Sequence, residues 1–285
     1  MFTSDGESQV AHLIEVAGVP VSNVHVHRPT LDDVFVRTRS RILSSFVQPI
    51  LFLFVLGYGM TTLVGSTAGF TFKKFVFPGI VAMSVVMTAI FSAISIVWGR
   101  EFGFLREMVV APVSRSSLVI GKTLGGSTIA TAQGTIVLAL APLIEVHLNA
   151  VLVGQVIGLE LLMAAGLTSF GVFVASRIQR IEAFQVVMQL LLFPMLFLSG
   201  ALFPLKGLPT WLAVLTRLNP VTYAVDPLRR VVFAVQKIPP AAAARFSTGV
   251  RLFGTTLTVW AEVGTFCVFT AVFLALAIAG FGKPE

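Results

Sequence analysis

Charged side chains are scarce in this 285-residue chain. Asp, Glu, Lys and Arg together make up 12% of the residues, hydrophobic residues make up 56%, and the mean hydropathy is +0.92. So few polar side chains cannot cover the surface of a soluble domain. The composition therefore argues against a soluble enzyme or binding module and predicts an integral membrane protein. The net charge of +7 then favours contact with anionic lipid and not with nucleic acid.

Cysteine is almost absent as well. Cys267 is the only cysteine and lies in a hydrophobic run, which excludes an internal disulfide and a thiolate metal site within one chain. His25 and His27 have the spacing to share one face of a strand, but no third metal ligand accompanies them. We therefore expect that this chain holds no metal and no cofactor.

Catalytic signatures are missing too. The segment SSLVIGKT ends like a phosphate-binding loop, but that pattern requires a glycine where the chain has Ser116, and a strand before it. Glu160 and Glu262 lie in hydrophobic runs and have no serine, histidine or second carboxylate at a useful spacing. We expect a non-catalytic chain that cannot hydrolyse ATP unaided.

Long uncharged runs dominate what is present. Val76 to Trp98 holds 23 residues without a charge, and Thr123 to Ile144 holds another 22. At ~1.5 Å per residue, either run is long enough to cross a hydrocarbon core of ~30 Å, and runs this continuous argue against β-barrel strands. The pattern predicts an all-α membrane protein with six transmembrane helices, at about 46–64, 76–98, 123–144, 151–175, 184–203 and 255–281.

The N-terminal part differs from the rest. We expect residues 1–36 to form a cytoplasmic tail and residues 37–285 to form the six-span domain, with an interfacial elbow helix from Thr30 to Ser45. The start of the chain lacks the apolar core of a cleavable signal peptide. Six spans put both termini on one side. The Lys and Arg totals of the two sides are close, 11 against 9, but the short loops favour cytoplasmic termini.

Two segments between the spans differ from the spans in amino-acid composition. Residues 99–122 are the only strongly charged stretch between two long hydrophobic runs, and their Glu/Arg pairs, aromatic residues and Pro112 predict a short amphipathic helix on the membrane surface. Residues 204–254 hold six prolines with Trp211 and Tyr223, which predicts short helices that enter the outer interface and return. Within the fourth span, Gly154 and Gly158 form a GxxxG pattern, which is typical of helix packing.

Several short motifs follow one another in a fixed order. They are QP at 48–49, FVFPGI at 75–80, REFGFLREMVVAPVSR at 100–115, GK at 121–122, LFLSGALFPL at 196–205, LPTWL at 208–212 and LNPVTYAVDPLR at 218–229. In this order, over about residues 40–281, they resemble the permease subunit of a type-2 ABC exporter. Residues 17–35 are similar to the C-terminal tail of the ATP-binding subunits of the same group, which suggests either a fusion remnant or an extra docking arm.

The resemblance implies partners and a location. It implies a second permease subunit, most simply a homodimer, and two ATP-binding subunits that hold the ATP and Mg²⁺. It places the chain, multi-pass, in the cell or inner membrane of a bacterium or archaeon, moving an amphipathic drug or lipid-like compound outward. Multidrug efflux and antibiotic resistance are the corresponding roles.

The resemblance also implies roles for individual residues. The cytoplasmic coupling helix, which contacts the ATPase, would contain Arg100, Glu101, Phe102, Gly103, Phe104, Leu105, Arg106 and Glu107. The outer re-entrant pair would form a gate with Phe203, Pro204, Trp211, Pro220 and Tyr223. The pathway or dimer interface would involve Gln48, Gln185, Gln189 and Glu160, since polar groups within spans need partners away from lipid.

Other functions remain open at this point. One is a permease for polysaccharide or lipid-linked glycan export. Another is a proton-coupled secondary transporter that uses Glu160 and Glu262, although the two halves show no evident inverted repeat. A third is a membrane anchor that signals to a soluble partner. A requirement for ATP or for a proton gradient separates these hypotheses.

Overall fold

The computed structural model describes residues 47–61, 70–102, 114–205, 208–236, 249–252 and 255–281. The expected N-terminal tail, the elbow helix and residues 103–107 of the expected coupling helix lie outside these ranges. The described part is mostly helical, which confirms an all-α membrane protein.

The described residues form nine α-helices, one 3-10 helix and one small antiparallel ribbon. The α-helices are α1 Val47–Thr61, α2 Phe72–Ser92, α3 Ile94–Glu101, α4 Arg115–Leu138, α5 Ala150–Ala175, α6 Ile181–Leu198, α7 Thr210–Leu218, α8 Thr222–Val235 and α9 Val259–Phe281. The 3-10 helix is Ala141–Ile144, and the ribbon pairs β1 (Arg251–Leu252) with β2 (Thr255–Thr256).

Four helical segments are long and apolar enough to cross a membrane. They are Phe72–Glu101, which combines α2 and α3, and the helices α5, α6 and α9. Helix α1 is apolar but shorter, and α4 has 24 residues but is rich in Gly, Ser and Thr. Among the described residues, the structure therefore supports four of the six predicted spans, and the spans assigned to α1 and α4 stay predictions.

The ends of several helices differ from the predicted ones. Helix α4 begins at Arg115 and not at 123, because the Ser114 side chain accepts a hydrogen bond from the backbone N–H of Ser117 at 3.2 Å and caps the helix there. Its end, at Leu138, precedes the 3-10 helix that the prediction had included in the third span. Helix α9 begins at Val259 because Thr255 and Thr256 belong to the ribbon.

Helix α5 packs against α2, α4 and α9, and small residues make the close approaches. A Cβ atom on Gly171 would lie 2.8 Å from the carbonyl oxygen of Ile90, and one on Gly166 would lie 2.7 Å from the ring of Phe266. By contrast, a Cβ on Gly154 or Gly158 would meet nothing within 4 Å among the described residues. Within the described part of the chain, other glycines of α5 therefore form its contacts, and a packing role for Gly154 and Gly158 stays a prediction.

The helices give the bundle two ends. At one, the Arg100 end, the end of α3 meets the end of α5, the start of α6 and the end of α9. At the other, the Arg229 end, the start of α2 and the end of α6 meet α8, and α8 meets the start of α9. Both clusters of functional interest lie at these ends.

The connection between α4 and α5 is tied to the start of α2. Glu145 lies 3.2 Å from the ammonium of Lys74 and 3.7 Å from that of Lys73. The hydrogen bond from Lys74 and the charges of both lysines hold the pKa of Glu145 below its usual value. Because the Glu145 side chain is largely exposed, solvent screens this contact, which orients the connection but is expected to stabilise it little.

Helix α5 begins at a cap that offers a first test. The side-chain oxygen of Asn149 accepts a hydrogen bond from the backbone N–H of Leu152 at 2.6 Å. Replacing Asn149 with alanine is expected to destabilise the protein by about 1 kcal/mol, because that N–H loses its acceptor. Asn149→Asp keeps the acceptor and should retain nearly wild-type stability. Urea unfolding of both variants in detergent checks this, and equal stability of the two would contradict the role of the cap.

Candidate functional site

The Arg100 end is a junction of four helices. A guanidinium nitrogen of Arg100 donates to the carbonyl oxygen of Ser176, the C-cap of α5, at 2.7 Å, and the guanidinium lies 5.7 Å from the ring centre of Phe281 in α9. The carboxylate of Glu101 accepts a hydrogen bond from the backbone N–H of Ile181, the first residue of α6, at 2.9 Å. The end of α3 therefore contacts α5, α6 and α9 together.

Helix ends explain why these two charges lie where they do. The last carbonyls of a helix and its first N–H groups have no partner within the helix, and they carry partial negative and positive charge respectively. Arg100 is the positive group at the end of α5, and Glu101 is the negative group at the start of α6. Both side chains are thus engaged within the chain and bond the end of α3 to α5 and α6.

Phe102 is the next predicted coupling residue. Its side chain is 64% exposed and lies edge-on to Trp98, with 6.4 Å between the ring centres. Trp98 is itself half exposed, so the two rings form an apolar surface beside the junction. The contact of this segment with an ATPase stays a prediction.

At the Arg229 end, three separate sequence motifs meet. The guanidinium of Arg229, 2% exposed, donates to the carbonyl oxygen of Ala201 at 2.8 Å and lies 4.2 Å from the ring centre of Phe75. Gly79 faces the same residue: a Cβ there would lie 1.8 Å from the carbonyl oxygen of Ala201. The motifs FVFPGI, LFLSGALFPL and LNPVTYAVDPLR therefore form one contact, which their order along the chain did not show.

A buried charge network lies beside this contact and joins α8 to α9. Arg230 binds the carboxylate of Asp226 at 2.8 Å, the carboxylate of Glu262 at 2.9 Å and the carbonyl oxygen of Leu257 at 2.8 Å. The side chains of Asp226 and Glu262 are 4% and 0% exposed. One guanidinium therefore compensates two buried carboxylates, while Arg229 supplies a second positive charge nearby.

The predicted gate residues occupy different positions. Phe203 is exposed and stacks on Phe197 with 6.3 Å between ring centres, and Trp211 is 66% exposed. Pro204 and Pro220 are half-buried. Tyr223 is buried and its hydroxyl donates to the carbonyl oxygen of Arg217 at 2.7 Å, which holds the turn between α7 and α8. Their joint role as a gate stays a prediction.

The sequence prediction missed two polar residues that fasten this region to α6. The Asn219 amide donates to the carbonyl oxygen of Met195 at 2.6 Å, and the Thr222 hydroxyl lies 3.3 Å from that of Leu198. These carbonyls belong to the last turn of α6 and lack partners within the helix. The polar residues inside LNPVTYAVDPLR were the available signal, but a pattern alone does not name their acceptors.

The predicted pathway residues fall into two groups. The side chains of Gln48, Gln185 and Gln189 are exposed on α1 and α6. On α6 the two amides share the surface with exposed apolar side chains, including Val186 at 65% and Leu190 at 72%. Glu160 does not lie on this surface: its side chain is 0% exposed and packs from α5 against Gly134 of α4. Among the described residues, no group of His, Cys, Asp and Glu side chains is arranged to hold a metal ion.

The sequence of this chain is similar to those of known membrane transport proteins. A family model described as ABC-2 type transporter matches residues 33–233. Nodulation protein J of Rhizobium leguminosarum bv. viciae is 30% identical over 193 residues, which cover 66% of this chain and 73% of that protein. The transport permease ycf38 of Cyanophora paradoxa is 29% identical over 205 residues, covering 69% and 70%. The inner membrane transport permease YadH of Escherichia coli K12 is 25% identical over 229 residues, covering 76% and 88%.

Proposed function

Because this chain belongs to the ABC-2 type transporter family, we propose that it forms the membrane pathway of an ATP-driven exporter for an amphipathic drug or lipid-like compound. Members of this family are transmembrane subunits of ABC transport systems and work with ATP-binding subunits, and this chain is such a subunit. The direction, the class of substrate and the role in drug efflux are the proposal.

The junction at the Arg100 end is the observation that supports the proposal best. A subunit driven by an external ATPase needs an element that receives the movement and passes it to the helices around the substrate. The end of α3 is hydrogen-bonded to α5 through Arg100 and to α6 through Glu101. Force applied to the segment after Glu101 would therefore move α6 without deforming α3.

The exposed surface of α6 is the proposed wall of the pathway. Its mixture of amides, Gln185 and Gln189, and large apolar side chains suits a compound that has both polar and apolar parts. We place a second copy of the chain against α1 and α6, so that the amides of both spans face the partner or the substrate and not lipid. In this arrangement the Arg100 end lies in the cytoplasm and the Arg229 end lies on the outer side, in a bacterial or archaeal inner membrane.

Reconstitution tests the proposal. The chain is copurified with candidate ATP-binding subunits and placed in vesicles, and movement of a fluorescent amphipathic compound is followed with ATP, with a non-hydrolysable ATP analogue, or with a proton gradient alone. We expect movement only with hydrolysable ATP. Movement driven by the gradient alone would overturn the proposal in favour of a secondary transporter, and absence of any complex with an ATPase would favour a membrane anchor.

Glu101 gives a residue-level test of the junction. Glu101→Arg should reduce transport and substrate-stimulated ATP hydrolysis at least ~10-fold while the protein still folds, because arginine cannot accept the hydrogen bond from the backbone N–H of Ile181. Glu101→Gln keeps an acceptor for the N–H of Ile181 and should retain most transport. The matched charge reversal Glu182→Arg, at an exposed position one residue into α6, should have little effect. Equal loss in the Glu101→Arg and Glu182→Arg variants would show that only surface charge matters.

A further inference from the structure

Glu160 is a carboxyl group buried within the helix bundle. It lies near the middle of α5, is 0% exposed, and packs directly against α4: a Cβ atom on Gly134 would lie 2.9 Å from its carboxyl carbon. Its only hydrogen-bond partner among the described residues is the hydroxyl of Thr135, 3.2 Å from Oε2, and Oε1 has none there.

The hydroxyl of Thr135 has one proton and two neighbouring acceptors. It lies 2.9 Å from the carbonyl oxygen of Thr131 and 3.2 Å from Oε2 of Glu160. The shorter and more usual bond is the one to the carbonyl, one turn back along α4. When the hydroxyl donates there, the Thr135 oxygen presents a lone pair to Glu160. Only a carboxyl group that carries a proton on Oε2 can then complete the contact.

The charged groups on the neighbouring helices are engaged elsewhere. On α2, Lys73 and Lys74 bind Glu145; on α8 and α9, Arg230 binds Asp226 and Glu262, and Arg229 binds the carbonyl of Ala201. On α4, Lys122 is exposed near the start of the helix, at the end of the bundle opposite to Arg229. No ion pair to Glu160 exists among the described residues, and an ionised carboxylate in an apolar interior is costly without a cation or several donors.

We propose that Glu160 is a proton-binding site in the α4–α5 contact, with the proton held on Oε2 and donated to the oxygen of Thr135. As a neutral acid the side chain can lie against Gly134 without a counterion. Loss of the proton would put an unpaired negative charge beside the α4 backbone and weaken the α4–α5 contact. This site is independent of the proposed export function and needs no ATP-binding subunit.

Glu262 is a second buried carboxyl group with different neighbours. It is equally buried, at 0% exposure, but its carboxylate lies 2.9 Å from a guanidinium nitrogen of Arg230. The same guanidinium also binds the buried carboxylate of Asp226 at 2.8 Å, so Glu262 shares its cation with a second acid. Among the described residues, Glu160 has no cation to share.

Infrared difference spectroscopy tests the proposal on the full chain in detergent. The spectrum of the wild type minus that of Glu160→Gln is expected to show the C=O stretching band of a protonated carboxyl at neutral pH, and that band should vanish at high pH. Glu262→Gln should leave the band in place. Absence of the band at every pH, with Glu160→Gln melting like the wild type, would overturn the proposal.

A second measurement uses the wild type alone, so it holds even if Glu160→Gln does not fold. Dicyclohexylcarbodiimide reacts with a protonated carboxyl: the acid proton passes to one carbodiimide nitrogen, the carboxyl oxygen bonds to the central carbon, and the acyl group then migrates to nitrogen to give a stable N-acylurea. Peptide mass spectrometry should find Glu160 modified about 10-fold more than the exposed Glu182, with modification of Glu160 falling as pH rises. Preferential modification of Glu182, or protection of Glu160 by Na⁺ but not by choline at constant pH, would overturn the proposal; the latter would indicate a metal cation site.

Discussion

Replacing Arg230 with alanine is expected to lower the free energy of unfolding by about 3–5 kcal/mol, because two buried carboxylates lose the guanidinium that pairs with both of them. Asp226 and Glu262 lie 2.8 Å and 2.9 Å from the guanidinium of Arg230 and are almost completely removed from solvent. The substitution also frees the carbonyl of Leu257. Urea unfolding of the purified protein in detergent, followed by tryptophan fluorescence, measures the loss.

Two control variants make this result specific. Arg217→Ala removes an exposed arginine from the neighbouring α7 and should change stability by less than about 0.5 kcal/mol. Glu262→Gln in the Arg230→Ala background should recover part of the loss, because one of the two unpaired charges is then removed. If Arg230→Ala unfolds like the wild type, the network does not hold α8 to α9.

The network explains how short helices can stay in place at the Arg229 end. Helices α7 and α8 are too short to span a membrane, so contacts with the long helices contribute to their position. Asn219 and Thr222 attach them to the last turn of α6, and Arg230 attaches α8 to α9. Separation of those two spans would break or displace these bonds, as the proposed gate at this end requires.

Hydropathy predicted the long helices because the bilayer requires a long apolar stretch to be helical. A stretch such as Val76 to Trp98 has one stable environment, a helix in lipid or against other helices, and that constraint acts on the residue sequence directly. The described part of segment 204–254 does contain the predicted short helices, α7 and α8, while their return through the outer interface stays a prediction. The same method placed both ends of α4 too late along the chain, at 123 and 144, whereas the helix begins at Arg115 after its Ser114 cap and ends at Leu138.

Side-chain partners could not be predicted in this way. Glu262 was expected to act as a proton-linked group with Glu160 in the secondary-transporter hypothesis, whereas the structure pairs it with Arg230, 32 residues away. The bond between Asn219 and Met195 spans 24 residues. Such pairs depend on how the helices pack, and neither periodicity nor composition records the rotation of one helix against another. Glycine shows the same limit, because Gly154 and Gly158 fit a known packing pattern but Gly79 makes the closest approach.

Gly79 is the second position where a large effect is expected. Gly79→Ala should destabilise the protein by about 3 kcal/mol or more, since the new Cβ would lie 1.8 Å from the carbonyl oxygen and 2.6 Å from the carbonyl carbon of Ala201. Backbone atoms cannot rotate away, so α2 and the segment after α6 must separate, and the bond from Arg229 to that same carbonyl is lost with them.

Gly264→Ala is the matched control, because it adds the same methyl group to a glycine of α9 that has no neighbour within 4 Å among the described residues. There the change should be neutral or stabilise by up to about 1 kcal/mol, since alanine favours a helix more than glycine does. Urea unfolding curves of the two variants and of the wild type measure both changes in stability. A Gly79→Ala protein as stable as Gly264→Ala would mean that α2 and Ala201 are not in contact. The three motifs would then not meet at the Arg229 end, because both Gly79 and Arg229 contact the carbonyl of Ala201 there.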